Sequence, residues 1–252
     1  MSQVPAPNFR RILVVGDASP ASENAAWRAG LLAREHGGWL RVVQWRRWHE
    51  DAEAARQRLD ELAWRLQERL QVAVIAQSLR GGLRRELAAA EADLVVTHPP
   101  QRPLQDRITG VHPAALVRAC DAPVLVVRKA AVMTYQRILA AVGDPAQADD
   151  SLAAATRMAD AGLWVKEAPR LVVPADLDAV LMQERALLPE LVVVHRGARD
   201  GEGMFAVPLW QRLLAHTAAD TLVLPSIGEP APLHDTNAVP ALGAHGASVW
   251  PS

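Results

Sequence analysis

The chain has 252 residues, 50% of them hydrophobic, so it can bury one large core or two small ones. A formal net charge of −1 creates no global field for nucleic acid or an acidic membrane, and no stretch of about twenty apolar residues offers a helical span. The N-terminal MSQVPAPNFRR lacks the apolar region of a secretory leader, and the single Cys120 cannot form an intramolecular disulfide, so the sequence reads as cytoplasmic.

In chain order, Arg11–Val15 reads as a buried strand. Ser19-Pro20 then offers a helix N-cap with proline at the first helical position. Ala25, Ala29, Leu32 and Ala33 form an apolar stripe at helical spacing, which Gly37-Gly38 ends. Trp39–Trp45 is the second expected strand. Residues 52–70 read as an amphipathic helix, with Leu59, Leu62, Leu66 and Leu70 on one side. Val72–Gln77, Asp93–Thr97 and Pro123–Arg128 follow as strands, separated by helices at Gly82–Glu91 and 111–120. Strands alternating with helices imply a parallel sheet covered on both faces.

The pattern then starts again. "FRRILVVGDASPASENAAWRAGLLA" begins at Phe9 and "YQRILAAVGDPAQADDSLAAATRMA" at Tyr135. Both run from an aromatic residue through Arg-Ile-Leu to Gly-Asp, a proline and an alanine-rich helix. This is a duplicated domain rather than a short-period array. Strands are expected in the second copy at Arg137–Val142, Leu163–Glu167, Arg170–Val173, Leu191–Val194 and Thr221–Leu224. Its span Gly162–Glu190 is about half as long as the matching Gly38–Asp93. The missing piece corresponds to the helix at 52–70, and sheet residues under that helix need another cover. Domains are therefore expected at 9–129 and 135–225. An irregular arm, rich in Pro, Gly and Ala, is expected over 226–252.

The segments "RILVVGDASPAS", "AEADLVVTH" and "GVHPAALVRACDAPVLVVRK" resemble the universal stress protein family. The resemblance covers nearly all of 9–129 and, with the deletion, 135–225. It implies an α/β fold of two tandem five-stranded parallel sheets, packed as a pseudo-dimer through their last strands. On that ground Val124–Val127 and Leu222–Leu224 should be neighbours. Many members of the family bind ATP through Gly, two residues, Gly, nine residues and Gly-Ser or Gly-Thr after the fourth strand. The matching positions here are Thr97, Pro100, Gly110 and Val111, and in the second copy His195, Ala198, Pro208 and Leu209. Only Gly110 is retained. The family's aspartate after the first strand corresponds to Asp17, and by repeat to Asp144.

Pro99, Pro100 and Pro103 stiffen the loop after the fourth strand and remove N–H donors from a phosphate cradle. Arg102 and Arg107 could replace those donors with charge, so a residual nucleotide pocket would consist of Asp17, Arg107 and Gly110. Asp17 and Asp144 have a second reading as helix caps. The glycine-rich 195–205 carries Asp200 and Glu202, which oppose an anion, and reads as a surface loop.

No catalytic or metal constellation emerges. Cys120 beside Asp121 reads as an inert buried thiol. His98 and His195 read as loop hydrogen-bonders, and His234, Asp235 and His245 lack metal-ligand spacing. "QWRRWHE" at 44–50 interleaves tryptophan with arginine, which suits a protein partner better than nucleic acid in a chain of near-neutral charge. The expectation is a non-catalytic stress-response module without a cofactor that acts through a protein partner. An ATP- or AMP-binding sensor is the alternative.

Overall fold

A computed structural model describes residues 9–45, 51–79, 87, 90–100, 112–133, 135–159, 168–173, 176–198 and 207–226. In chain order its strands are β1 (Arg11–Gly16), β2 (Trp39–Trp45), β3 (Ala73–Leu79), β4 (Leu94–Thr97), β5 (Val124–Val126), β6 (Ile138–Ala141), β7 (Arg170–Val172), β8 (Leu191–His195) and β9 (Asp220–Leu224). Its helices are α1 (Pro20–Glu35), α2 (Ala52–Leu70), α3 (Pro113–Ala119), α4 (Ala148–Ala159), α5 (Leu177–Leu187) and α6 (Leu209–His216).

All nine strands join one sheet, in the order β3-β2-β1-β4-β5-β9-β8-β6-β7. Every pairing is parallel except that of β5 with β9. Val124, Leu125 and Val126 lie opposite Val223, Leu222 and Thr221, so the strands expected to be neighbours are hydrogen-bonded to each other. All six residues are buried. An apolar edge strand is a template for aggregation, and here each edge closes the other.

Alternation along the strands sends side chains to two cores. Ile12, Val14, Leu40, Leu125, Leu191 and Leu222 pack with α1, α2 and α4 on one face. Leu13, Val15, Val95, Leu139, Val192 and Val223 pack with α3, α5 and α6 on the other. Local signals set the helix ends. Ser19 caps α1 and accepts from the Ser22 N–H at 3.2 Å. Gly37, with φ of +60°, turns the chain out of that helix in the left-handed region that favours glycine. His112 caps α3 through Nδ1, 3.2 Å from the Ala114 N–H.

The second half departs from expectation in one element. Helix α5 precedes β8 where no element was expected. Asp176 caps it, accepting from the Ala179 N–H at 2.7 Å, and Leu177 and Val180 bury a short apolar face. The strand expected at 163–167, the helix expected at 82–91 apart from isolated positions, and all of the arm beyond Ser226 lie outside the described residues. Among those described, nothing stands over β7 as α2 stands over β2 and β3. Leu171 and Val173 are 46% and 41% exposed, while Val172, pointing the other way, packs into the core with α5. Trp45 packs half-buried against the same core, as expected, and Arg46 and Arg47 lie outside the described residues.

A buried charged knot ties the halves together. Arg28 of α1 is a cation on the apolar stripe of its helix. Its guanidinium lies 4.3 Å from the centre of the Tyr135 ring, its Nε 3.6 Å from Asp220 Oδ2. Tyr135 donates its hydroxyl to Asp220 Oδ2 at 2.6 Å, and the N–H groups of Arg128 and Lys129 donate to Oδ1 at 2.6 Å each. Arg28 also donates to the carbonyls of Met133 and Ala130. Asp220 is fully buried, so its charge rests entirely on these partners.

Candidate functional site

In open parallel sheets ligands bind beyond the carboxyl ends of the strands. Here β1 ends at Gly16. A Cβ on that residue would lie 1.9 Å from Ser22 Oγ and 3.4 Å from the His98 ring. Only glycine allows β1, α1 and the residue after β4 to meet so closely. Asp17 follows, and its Oδ1 accepts from the Ser19 N–H at 2.9 Å. It therefore braces the helix cap without being the cap. Asp144 is itself a cap, accepting from the Ala146 N–H at 3.0 Å above the 3-10 turn Pro145–Gln147.

His98 is buried between β1 and β4, with Nδ1 2.8 Å from the Pro99 carbonyl and Nε2 3.5 Å from Asp17 Oδ1. The carbonyl can only accept, so Nδ1 carries the proton. The reading of His98 as a loop hydrogen-bonder holds for Nδ1, while its packing against Asp17 was not foreseen. Beside Asp17 lies a cavity of about 240 Å³ between the turn after β1, β2, α1 and α2. Asp17, Ser22, Gln44 and Leu59 line it, and the ion pair of Glu23 with Arg65, 2.8 Å, joins α1 to α2 at its rim. Gln44 Nε2 is buried without a hydrogen-bond partner. Of the three residues of the expected nucleotide pocket, Asp17 lines this cavity. Arg107 and Gly110 lie outside the described residues, as do Arg102 and Val111.

The second half repeats the layout. His195 ends β8, buried, with Nδ1 3.3 Å from the Pro225 carbonyl and Nε2 without a hydrogen-bond partner. Ser151, like Ser22 in α1, is buried near the start of its helix. Burial pushes the His195 pKa below its ordinary value, against smaller opposing effects of the Pro225 carbonyl and Asp150. The folded chain thus binds this proton less readily than the unfolded chain. Its contribution to stability is present above the ordinary histidine value of about 6.5 and is lost as pH falls through the lower folded value. Denaturant unfolding should show stability falling on acidification from about pH 7, by at most about 1.4 kcal/mol per pH unit from this group. His195→Gln should flatten that slope, and an unchanged slope would assign it elsewhere.

Cys120 is free and buried, and burial first, then Asp121, pushes its thiol up to about 12. That leaves negligible thiolate at neutral pH. Among the described residues no group of three or more His, Cys, Asp or Glu side chains could hold a metal ion, and no helix is long and apolar enough to cross a membrane.

The sequence profile of the universal stress protein family matches residues 8–128, which run from before β1 to just beyond β5. Over those residues, just under half of the chain, it is similar to the universal stress protein family. Solved structures extend the likeness of fold over both halves of the sheet. A candidate universal stress protein from Pseudomonas aeruginosa UCBPP-PA14 is 20% identical, with 86% of this chain and 93% of that chain covered at a TM-score of 0.59. A functionally unknown protein from Pseudomonas aeruginosa PAO1 is likewise 20% identical, with 86% and 92% covered at 0.59. A universal stress protein from Archaeoglobus fulgidus is 12% identical, with 86% and 97% covered at 0.56. No curated protein matches the sequence. The matched segment supplies the first five strands, and β5 is the strand by which it meets the rest of the sheet.

Proposed function

We propose that this chain is a non-catalytic stress-response module of two universal-stress-type units, 9–129 and a shortened 135–225, that acts through protein contacts and does not use ATP. The observation carrying the second part is the place of His98. Its ring fills the crevice between the ends of β1 and β4, against Gly16 and Asp17, and the chain then leaves through Pro99-Pro100, which has no N–H to offer a phosphate. The adjoining cavity is lined by Asp17, Glu23 and Glu61 against Arg58 and Arg65, which does not favour a polyanion. Protein contact is supported by β7, the last strand of the sheet among the described residues, with exposed Leu171 and Val173, and by exposed Leu152 of α4.

Hydrogen bonds to charged groups are worth about 1.5–3 kcal/mol each. Losing two weakens a site by about a hundredfold or more, since about 1.4 kcal/mol is tenfold. Calorimetric titration of the full chain with ATP should therefore give no saturation in the micromolar range. A micromolar dissociation constant would sink this reading. A second reading has its own support: the cavity of about 240 Å³ beside Asp17, with Gln44 Nε2 unpartnered, suits a nucleoside or AMP better than ATP. Saturable AMP binding that Gln44→Leu abolishes would establish that alternative.

A further inference from the structure

A second cavity is larger than the one beside Asp17. A space of about 450 Å³ lies at the seam between the halves, and it shares no lining residue with the first. Its size falls within the range of small-molecule sites, about 300–1,000 Å³. Its wall is built from the segment after β5 and the turn before β8. Val132, Met133 and Leu188 line it and are 79%, 48% and 65% exposed, an unusual concentration of bare apolar side chains.

Leu188 is the more telling of these. It ends α5 with φ of 47° and ψ of 54°, the left-handed region that suits glycine, yet the residue is a large apolar one facing solvent. Neither its own backbone nor the core calls for leucine at this point.

Charge completes the site. Arg28, Lys129 and Arg137 line the cavity against one carboxylate, Glu190. Arg28 forms the inner wall and its charge is met by Asp220. Glu190 is engaged by Arg137 at 3.9 Å and by the Gln136 N–H at 2.7 Å. The Lys129 backbone is pinned on both sides, its N–H to Asp220 and its carbonyl to Asn24. Among the described residues no carboxylate pairs with its ammonium. Among the described residues that ammonium is therefore unmatched, at the rim of an apolar bowl.

We propose that this seam cavity binds an amphiphilic monoanion, a carboxylate carrying a short apolar chain. The anionic head would meet Lys129, and the chain would lie on Val132, Met133 and Leu188. Because Arg28 and the 129–133 segment belong to the knot that joins the two halves, a molecule bound here rests directly on the joint.

The test is a methyl NMR titration of the full chain with octanoate, kept below its micelle concentration. Saturable shifts are expected at Val132, Met133 and Leu188, with none at Leu59 in the first cavity. Lys129→Glu should weaken binding at least tenfold. Leu188→Gly should weaken it similarly while leaving the melting temperature unchanged or raised, since φ there suits glycine, so lost binding cannot be ascribed to unfolding. Octanol should bind more weakly than octanoate, and acetate should give no shift. Absence of saturable shifts, unchanged affinity in Lys129→Glu, or equal affinity for octanol and octanoate would each overturn the proposal.

Discussion

Asp220→Ala is expected to destabilise the chain by about 3–5 kcal/mol, the range found when one partner of a buried ion pair is removed. The variant strands several groups at once. Arg28 keeps a buried charge with no counter-charge, the Tyr135 hydroxyl loses its acceptor, and two backbone N–H groups after β5 lose theirs. Part of the loss is the burial of an unmatched cation, so the double variant Arg28→Met/Asp220→Ala should lose less than the two single losses added together. Urea unfolding of the four proteins measures this. Strict additivity, or a single-variant loss below about 1 kcal/mol, would show that the knot does not hold the joint.

The second large effect concerns the seam between β5 and β9. Residues 1–133 expressed alone should not yield a stable monomer. That fragment would bare β5, whose three residues are fully buried in the whole chain, and would leave Arg28 without Asp220. Antiparallel pairing of two β5 strands, or aggregation through them, is the physical outcome. Size-exclusion chromatography with light scattering should find dimers or larger species. A monodisperse monomer with the stability of the whole chain would show that the seam is dispensable.

The succession of strands and helices along the first half was legible because periodicity changes cleanly between Arg11–Val15, the stripe of α1 and the amphipathic 52–70. The seam was legible too, because the repeat ends each copy in an apolar strand, Val124–Val127 and Leu222–Leu224, whose open edge needs a partner. Helix α5 escaped because only Leu177 and Val180 bury in it, too few to set a helical period. The candidate site was legible only in Asp17. His98 reaches that residue through the parallel pairing of β1 with β4, which no local spacing records. Arg28 did carry a signal, a charge at i+3 from Ala25 and i−4 from Leu32 on a buried stripe. Its partner, Asp220, opens β9 at the far end of the chain, so no neighbouring residue pointed to it.

The β5–β9 seam also has a cost in time. During synthesis the first five strands are complete long before β9 exists, since about a hundred residues separate β5 from the end of β9 and the ribosome adds about 5–20 per second. For about 5–20 seconds on every nascent chain, Val124, Leu125 and Val126 stand as a bare apolar edge beside an Arg28 that has no counter-charge. Neighbouring nascent chains on one message present the same edge to each other. Slower elongation across 130–220 lengthens that window without altering the folded protein, so the yield of this chain should depend on translation speed and chaperone supply more than its final stability suggests.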